Sequence, residues 1–300
     1  MAIDPGTHDD LSQRLGLTVP QDWWASAPLV KSIEAAGFSW VQVHAPPPAL
    51  LADPRSCARH AGRLRASLET TDLRPVVHAP GGLRAGSRDG DRTFEGLLSY
   101  AAEVGSGFVV YHACALPDGA DSEDALLFEA RSLAALALRA ERLGVTIAIE
   151  NLAPVYPGPE VLSANPMSLR GLAHRIGSDR VGLCLDLGHA HIVADLRHTS
   201  LERLVEPVLD VVSLFHVHDN LGARWHPVGA ERGVDPLRLD LHLPPGRGTA
   251  PWNDITSLVD GHAAPLMLEV HPPYRPRAAE LYRGATEALG ARERRVAAAA

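Results

Sequence analysis

Apolar runs without polar alternation recur along the chain, and each is followed by a longer stretch with helical periodicity. Such a run is the pattern of a strand buried on both faces, as in a parallel sheet. The strands read as Arg14–Pro20, Phe38–His44, Arg74–His78, Gly107–His112, Val145–Asn151, Val181–Asp186, Val211–His216 and Pro265–Val270. Helices are predicted over Trp23–Ala36, Pro54–Thr70, Thr93–Val104, Ser122–Leu143, Met167–Ile176, from Leu201 onward, Trp252–Val259 and Ala278–Leu289. Gly37 and Gly144 supply helix stops, and Ser122-Glu123-Asp124 a helix start. Regular alternation of strand and helix, with no linker, predicts a parallel sheet. At 300 residues the eightfold closed barrel fits best: a single (β/α)8 TIM barrel domain over residues 1–300, with 1–12 and 291–300 as frayed ends. No Gly-x-Gly-x-x-Gly turn follows the first strand, which disfavours an open dinucleotide-binding sheet.

Composition narrows the setting. The chain is 46% hydrophobic and 21% charged, with no apolar stretch long enough for a membrane span and no signal-peptide pattern at its start. Its three cysteines, Cys57, Cys114 and Cys184, follow no pairing motif, so a reducing, cytoplasmic setting is expected. A formal charge of -8 argues against a nucleic-acid partner without excluding one, since clustered metal ions add positive charge locally. The arginines at 55, 59, 63 and 65 read as a solvated helix face. Fifteen histidines are the informative count, and their positions decide their meaning.

In a barrel of this type chemistry gathers at the C-terminal edge of the strands. The last six predicted strands end at His78, His112, Glu150, Asp186, His216 and Glu269, and the following loops add His189, Asp240 and His242. Taken singly, each has an ordinary reading: Asp186 as a helix cap, Glu150 or Glu269 as an ion-paired strand end, any histidine as a hydrogen-bonded core residue. Taken together, carboxylates and imidazoles converging on one mouth are destabilising unless a cation neutralises them. A divalent metal is the simplest such partner. The core ligand set is Glu150, Asp186, His216 and Glu269, and the outer histidines and Asp240 form a wider set. Arg247, between two glycines beside Asp240 and His242, is placed to clamp a carboxylate or phosphate. Tyr156 offers a substrate wall, and Trp252 serves equally as wall or core.

The motifs Val77-His78-Ala79-Pro80, Ala148-Ile149-Glu150-Asn151, Leu185-Asp186-Leu187-Gly188-His189, Phe215-His216-Val217-His218-Asp219, Asp240-Leu241-His242 through Gly246-Arg247-Gly248, and Leu268-Glu269-Val270 resemble the xylose isomerase-like barrel superfamily. That superfamily includes sugar isomerases and epimerases and the endonuclease IV class of apurinic-site nucleases. In the sugar branch, the resemblance implies one manganese, magnesium or cobalt ion held by Glu150, Asp186, His216 and Glu269. Glu150 and Glu269 would there exchange protons with a metal-bound hydroxy-carbonyl, while His189 contacts substrate hydroxyls. In the nuclease branch it implies two or three zinc ions held by His78, His112, Glu150, Asp186, His189, His216, Asp240, His242 and Glu269.

Three departures set the chain apart from the nuclease pattern. His78-Ala79-Pro80-Gly81 stands where the nuclease has His-x-x-Tyr, Asp186-Leu187-Gly188-His189 replaces Asp-Thr-Cys-His, and Gly246-Arg247-Gly248 replaces Gly-Glu-Gly. Aromatic residues are sparse, at 5%. The sequence therefore points first to a metal-dependent isomerase, epimerase or related lyase acting on a sugar, cyclitol or other polyhydroxylated small molecule. The alternative is an endonuclease IV-like zinc phosphodiesterase acting at apurinic sites. Substrate and oligomeric state are left open.

Overall fold

The computed structural model describes residues 11–113, 122–154, 161–223 and 238–290. Eight parallel strands close into a barrel in sequence order: β1 (Leu15–Thr18), β2 (Trp40–His44), β3 (Arg74–His78), β4 (Phe108–Tyr111), β5 (Thr146–Glu150), β6 (Val181–Asp186), β7 (Val212–Val217) and β8 (Leu266–Leu268). β8 pairs with β1, Leu17 opposite Leu268, so no sheet edge is left open.

The helices that cover the barrel are α1 (Leu11–Arg14), α2 (Ala27–Ala35), α3 (Pro48–Leu51), α4 (Pro54–Leu68), α5 (Arg88–Glu103), α6 (Ser122–Leu143), α7 (Pro166–Ile176), α8 (Leu187–Leu196), α9 (Leu201–Val205), α10 (Trp252–Val259) and α11 (Ala278–Leu289). None among the described residues is long and apolar enough to cross a membrane.

Several boundaries differ from the sequence expectation for local reasons. α2 starts at Ala27 rather than Trp23 because Pro28 tolerates its missing N–H only in a first turn. α5 starts at Arg88 rather than Thr93, since the Ser87 hydroxyl caps it by accepting from Gly90 N at 3.1 Å. Leu11 and Ser12 are not frayed: they belong to α1, and the Ser12 carbonyl accepts from Ser39 Oγ at 2.9 Å. The sequence predicts a long irregular loop over residues 217–251, and its described residues carry some regular structure. Val217 completes β7, and Asp219 and Leu243 exchange backbone hydrogen bonds at 2.8 Å.

Strand parity connects the fold to the chemistry. Side chains two apart on a strand share a face. A compact cluster inside the barrel holds Val76, Val110, Ala148, Cys184, Leu214 and Met267, packed against Trp40 and Phe108. Each of the six lies two residues before a predicted ligand: His78, His112, Glu150, Asp186, His216 and Glu269. The apolar plug and the polar mouth are thus successive layers of one inward face. Gly16 belongs to the same face of β1, where a Cβ would lie 2.4 Å from Met267 Sδ and 2.7 Å from Trp40 Cβ. The larger core, including Leu17, Val41, Phe94, Leu133 and Ile149, fills the space between strands and helices.

Candidate metal centre at the barrel mouth

Every residue of the predicted ligand set converges at the C-terminal mouth. Ligand atoms of Glu150, Asp186, His216 and Glu269 all lie within 4.8 Å of one another. A second group of the same tightness joins His78, His112 and Glu150, and a third joins His189, Asp240 and His242 with His218. Glu150 belongs to the first two. His216 Nδ1 lies 3.0 Å from Glu150 Oε1 and 3.1 Å from Glu269 Oε2. His78 Nε2 and His112 Nε2 approach Glu150 Oε2 at 3.3 and 3.1 Å.

Asp186 caps a helix with one carboxylate oxygen and keeps the other available to a metal. Its Oδ1 accepts from His189 N at 2.7 Å and starts α8 on the last residue of β6. Its Oδ2 is buried with no hydrogen-bond partner. Asn151 holds this corner rigid: its side-chain amide exchanges hydrogen bonds of 2.8 and 2.9 Å with the Asp186 backbone.

The hydrogen-bond network also assigns the histidine tautomers. His78 Nδ1 donates to Ala79 O at 2.8 Å, so Nε2 faces Glu150 Oε2 at 3.3 Å, donating to it when the ring is protonated and presenting a lone pair when it is not. His216 is reversed: its Nε2 donates to Gln42 Oε1 at 2.9 Å, and Gln42 Nε2 in turn donates to Thr18 Oγ1 at 3.2 Å. Metal-bound imidazoles show this arrangement, one ring nitrogen tied to a fixed acceptor and the other aimed at the ion. Gln42 and His218 are buried site residues that reading strand ends alone misses. The inward parity of Trp40, Gln42 and His44 would have found the first, and the His-x-His spacing of His216 and His218 the second.

A cavity of about 500 Å³ opens above these groups, lined by Trp23, His44, His78, His112, Glu150, Leu152, His189, Asp240, His242, Glu269 and His271 among others. Two of its imidazoles stay neutral. Burial and the adjoining His78 push His44 down to about 4, and burial and His242 do the same to His271. Arg247 lies outside this lining and is exposed, in the turn that follows the buried Pro244 and Pro245. Tyr156 falls outside the described residues. Trp252 is structural in its contacts: its Nε1 donates to Asp219 Oδ2 at 2.9 Å.

The donor set fits a divalent metal. Asp186 Oδ2 in the first group, and His189 Nε2, His218 Nε2 and Asp240 Oδ1 in the third, are buried without hydrogen-bond partners, a costly arrangement unless a cation lies beside them. Burial disfavours the charged carboxylates, yet His216 and His112 hold Glu150 well below the usual range, and His216 and His242 do so for Glu269. Conversely, burial disfavours the His189 imidazolium, and Asp186, Asp240 and Glu150 outweigh it and hold its pKa well above normal. His216 is raised in the same sense against its burial. Because burial pushes the neighbouring Cys184 thiol up to about 12, the anions responsible are Glu150 and Glu269.

A ligating imidazole must be deprotonated. With folded-state pKa values raised, His189 and His216 hold their protons to higher pH than ordinary imidazoles, so metal uptake is expected to release protons and to weaken as pH falls. Calorimetric titrations in two buffers of different ionisation enthalpy measure the release. Equal heats in both would contradict it.

The chain belongs to the xylose isomerase-like TIM barrel family, whose model matches residues 30–290. Among solved structures it is similar to a D-tagatose 3-epimerase-like protein, with 20% identity over 94% of this chain and 99% of that one and a TM-score of 0.70. It is also similar to the E. coli 3-keto-D-glucoside 4-epimerase YcjR, with 15% identity over 92% and 98% and a TM-score of 0.66. The zinc-containing IOLI protein gives 16% identity over 92% and 98%, at a TM-score of 0.66. No curated protein matches the chain by sequence.

Proposed function

We propose that the chain is a metal-dependent isomerase or epimerase, or a related proton-transfer lyase, acting on a sugar, cyclitol or similar polyhydroxylated molecule. The observation that carries the reading is the pair Glu150 and Glu269, which both line the cavity and both approach His216 Nδ1, at 3.0 and 3.1 Å. Glu150, Asp186, His216 and Glu269 would hold the metal, which supplies the positive charge that makes a C–H beside a carbonyl acidic.

The remaining work falls to the chain's own groups. One glutamate takes a proton from the substrate carbon and the other returns one, as general base and acid. His44 and His271, neutral at physiological pH, offer hydrogen bonds to substrate hydroxyls. Trp23, Leu152 and Pro272 form apolar walls that keep water from the reacting carbon. The cavity volume lies in the range of about 300–1,000 Å³ usual for small-molecule sites. The names of the similar structures, a 3-epimerase-like and a 4-epimerase protein, support the same direction.

Solvent deuterium entering a ketohexose panel, followed by mass spectrometry with the manganese-loaded protein, tests the reading. Site-specific incorporation is expected. A loaded protein that exchanges no polyol, keto sugar or cyclitol ketone would overturn it. A second reading, hydrolysis of a phosphodiester at an abasic site, draws on the further ligand groups around His78 with His112 and around Asp240 with His242. It requires nicking of an abasic duplex by the zinc-loaded protein, and an intact duplex removes it.

A further inference from the structure

We propose that the chain carries a separate, closed zinc site made by His189, His218, Asp240 and His242, with His218 as its fourth ligand. The family resemblance supplies only three of these residues and leaves that position open; His218 changes what the site is. The inference holds whichever reaction the inner ligands perform.

The four groups bring their ligand atoms within 4.8 Å of one another, with His218 Nε2 also 3.2 Å from Asp186 Oδ1 at the border with the inner group. Asp240 Oδ1 lies 2.9 Å from His242 Nε2, 3.4 Å from His189 Nε2 and 3.9 Å from His218 Nε2. The edge of a zinc tetrahedron is about 3.3 Å, from Zn–N bonds of about 2.0–2.1 Å. Yet His189 Nε2, His218 Nε2 and Asp240 Oδ1 have no aligned hydrogen-bond partner although all three atoms are buried. The other nitrogen of each ring is engaged by a backbone carbonyl. His189 Nδ1 faces Asn151 O at 2.8 Å, His242 Nδ1 faces Glu269 O at 3.0 Å, and His218 Nδ1 faces Asp219 O at 3.4 Å. In a neutral ring that contact requires the Nδ1–H tautomer, so all three Nε2 atoms carry the lone pair.

Two backbone features maintain the site at a cost. His242 adopts φ of 49°, a left-handed conformation unfavourable for a residue with a Cβ, and thereby brings its ring parallel to His218 at 3.9 Å between centroids. Gly188 makes the room: a Cβ there would lie 2.2 Å from His218 Cε1 and 2.5 Å from both ring nitrogens. Any side chain at 188, including the cysteine of the nuclease pattern, would occupy the place of the imidazole. Gly188 and His218 therefore form one device, and the departure of Leu187-Gly188 from Thr-Cys is what admits the extra ligand.

Ligand chemistry separates the two sites. Glu150, Asp186, His216 and Glu269 offer three carboxylates to one imidazole, a set suited to manganese or magnesium. The outer set offers three imidazoles to one carboxylate, which suits zinc, and four protein ligands leave no open position, as in structural sites. Zinc there would fasten the 240–242 segment to β7 and α8 and fix one wall of the cavity.

The test is X-ray absorption on the intact protein given one equivalent of zinc, with zinc affinity measured by chelator competition. Wild-type protein is expected to show four N/O neighbours at about 2.0–2.1 Å with the outer-shell scattering of three imidazoles. His218→Ala is expected to weaken zinc binding by more than the roughly 10–100-fold that losing an outer-shell partner costs, and Gly188→Ala by about that range. A wild-type spectrum with one imidazole per zinc overturns the proposal without reference to any variant. So does unchanged zinc affinity in a folded His218→Ala protein.

Discussion

Glu269→Gln is expected to lower solvent-deuterium exchange into substrate by about 10²–10⁴-fold, the usual contribution of a positioned general acid–base group. Glutamine keeps the shape and can still face His216, so the packing around β8 is retained, while the proton-accepting oxygen is lost. Glu269 follows the three-residue β8, and its backbone N donates to Val217 O at 3.1 Å, which ties it to the strand carrying His216. Because Glu269 belongs to the inner ligand group, the assay is run at saturating metal with bound metal measured beside it. Full exchange in a metal-loaded Glu269→Gln protein would remove this residue from the proton path. Loss of exchange with metal retained is the expected result.

Asp186→Asn is expected to separate two functions held by one side chain. Asparagine caps a helix about as well as aspartate, so the hydrogen bond from His189 N and the start of α8 should survive, and folding stability should stay within about 1 kcal/mol. The negative charge on the buried, partnerless Oδ2 disappears, and with it a ligand of the inner group. Manganese affinity should fall by more than about 100-fold, beyond the loss typical of an outer-shell partner. Asp186→Ala should show the same metal loss plus about 1 kcal/mol for the missing cap. Chemical denaturation and metal titration on the same preparations distinguish these outcomes. Metal affinity unchanged in Asp186→Asn would leave Asp186 as a cap alone.

The two glutamates and the aspartate also show why the mouth is legible in the sequence. A strand buried on both faces writes its burial as an apolar run, and the residue that breaks the run is the one the mouth requires. The fixed two-residue period of a strand then orients it, since Ala148 and Glu150, Cys184 and Asp186, Leu214 and His216 must share a face. Eight such runs in alternation with helices admitted few topologies, and closure followed from length. The candidate ligand residues, the barrel and its family were therefore written in local pattern.

Other features depend on which segments meet in space, and no local pattern carries that. His218 lies beyond the last inward ligand of β7 and reads as a loop residue until Gly188, from α8, is seen to vacate the space its ring fills. Gln42 is a polar interruption in an apolar strand until His216, on the far side of the sequence, is found 2.9 Å away. Arg247 reads as a clamp by its place between glycines, and only the fold shows it exposed and outside the cavity lining. Period and burial are properties of consecutive residues and survive in the chain. The hydrogen-bond partner of each histidine, the division of the candidate ligands into inner and outer groups, and the unpartnered second oxygen of the capping Asp186 are set by distances between residues far apart in sequence, and only the closed barrel fixes those.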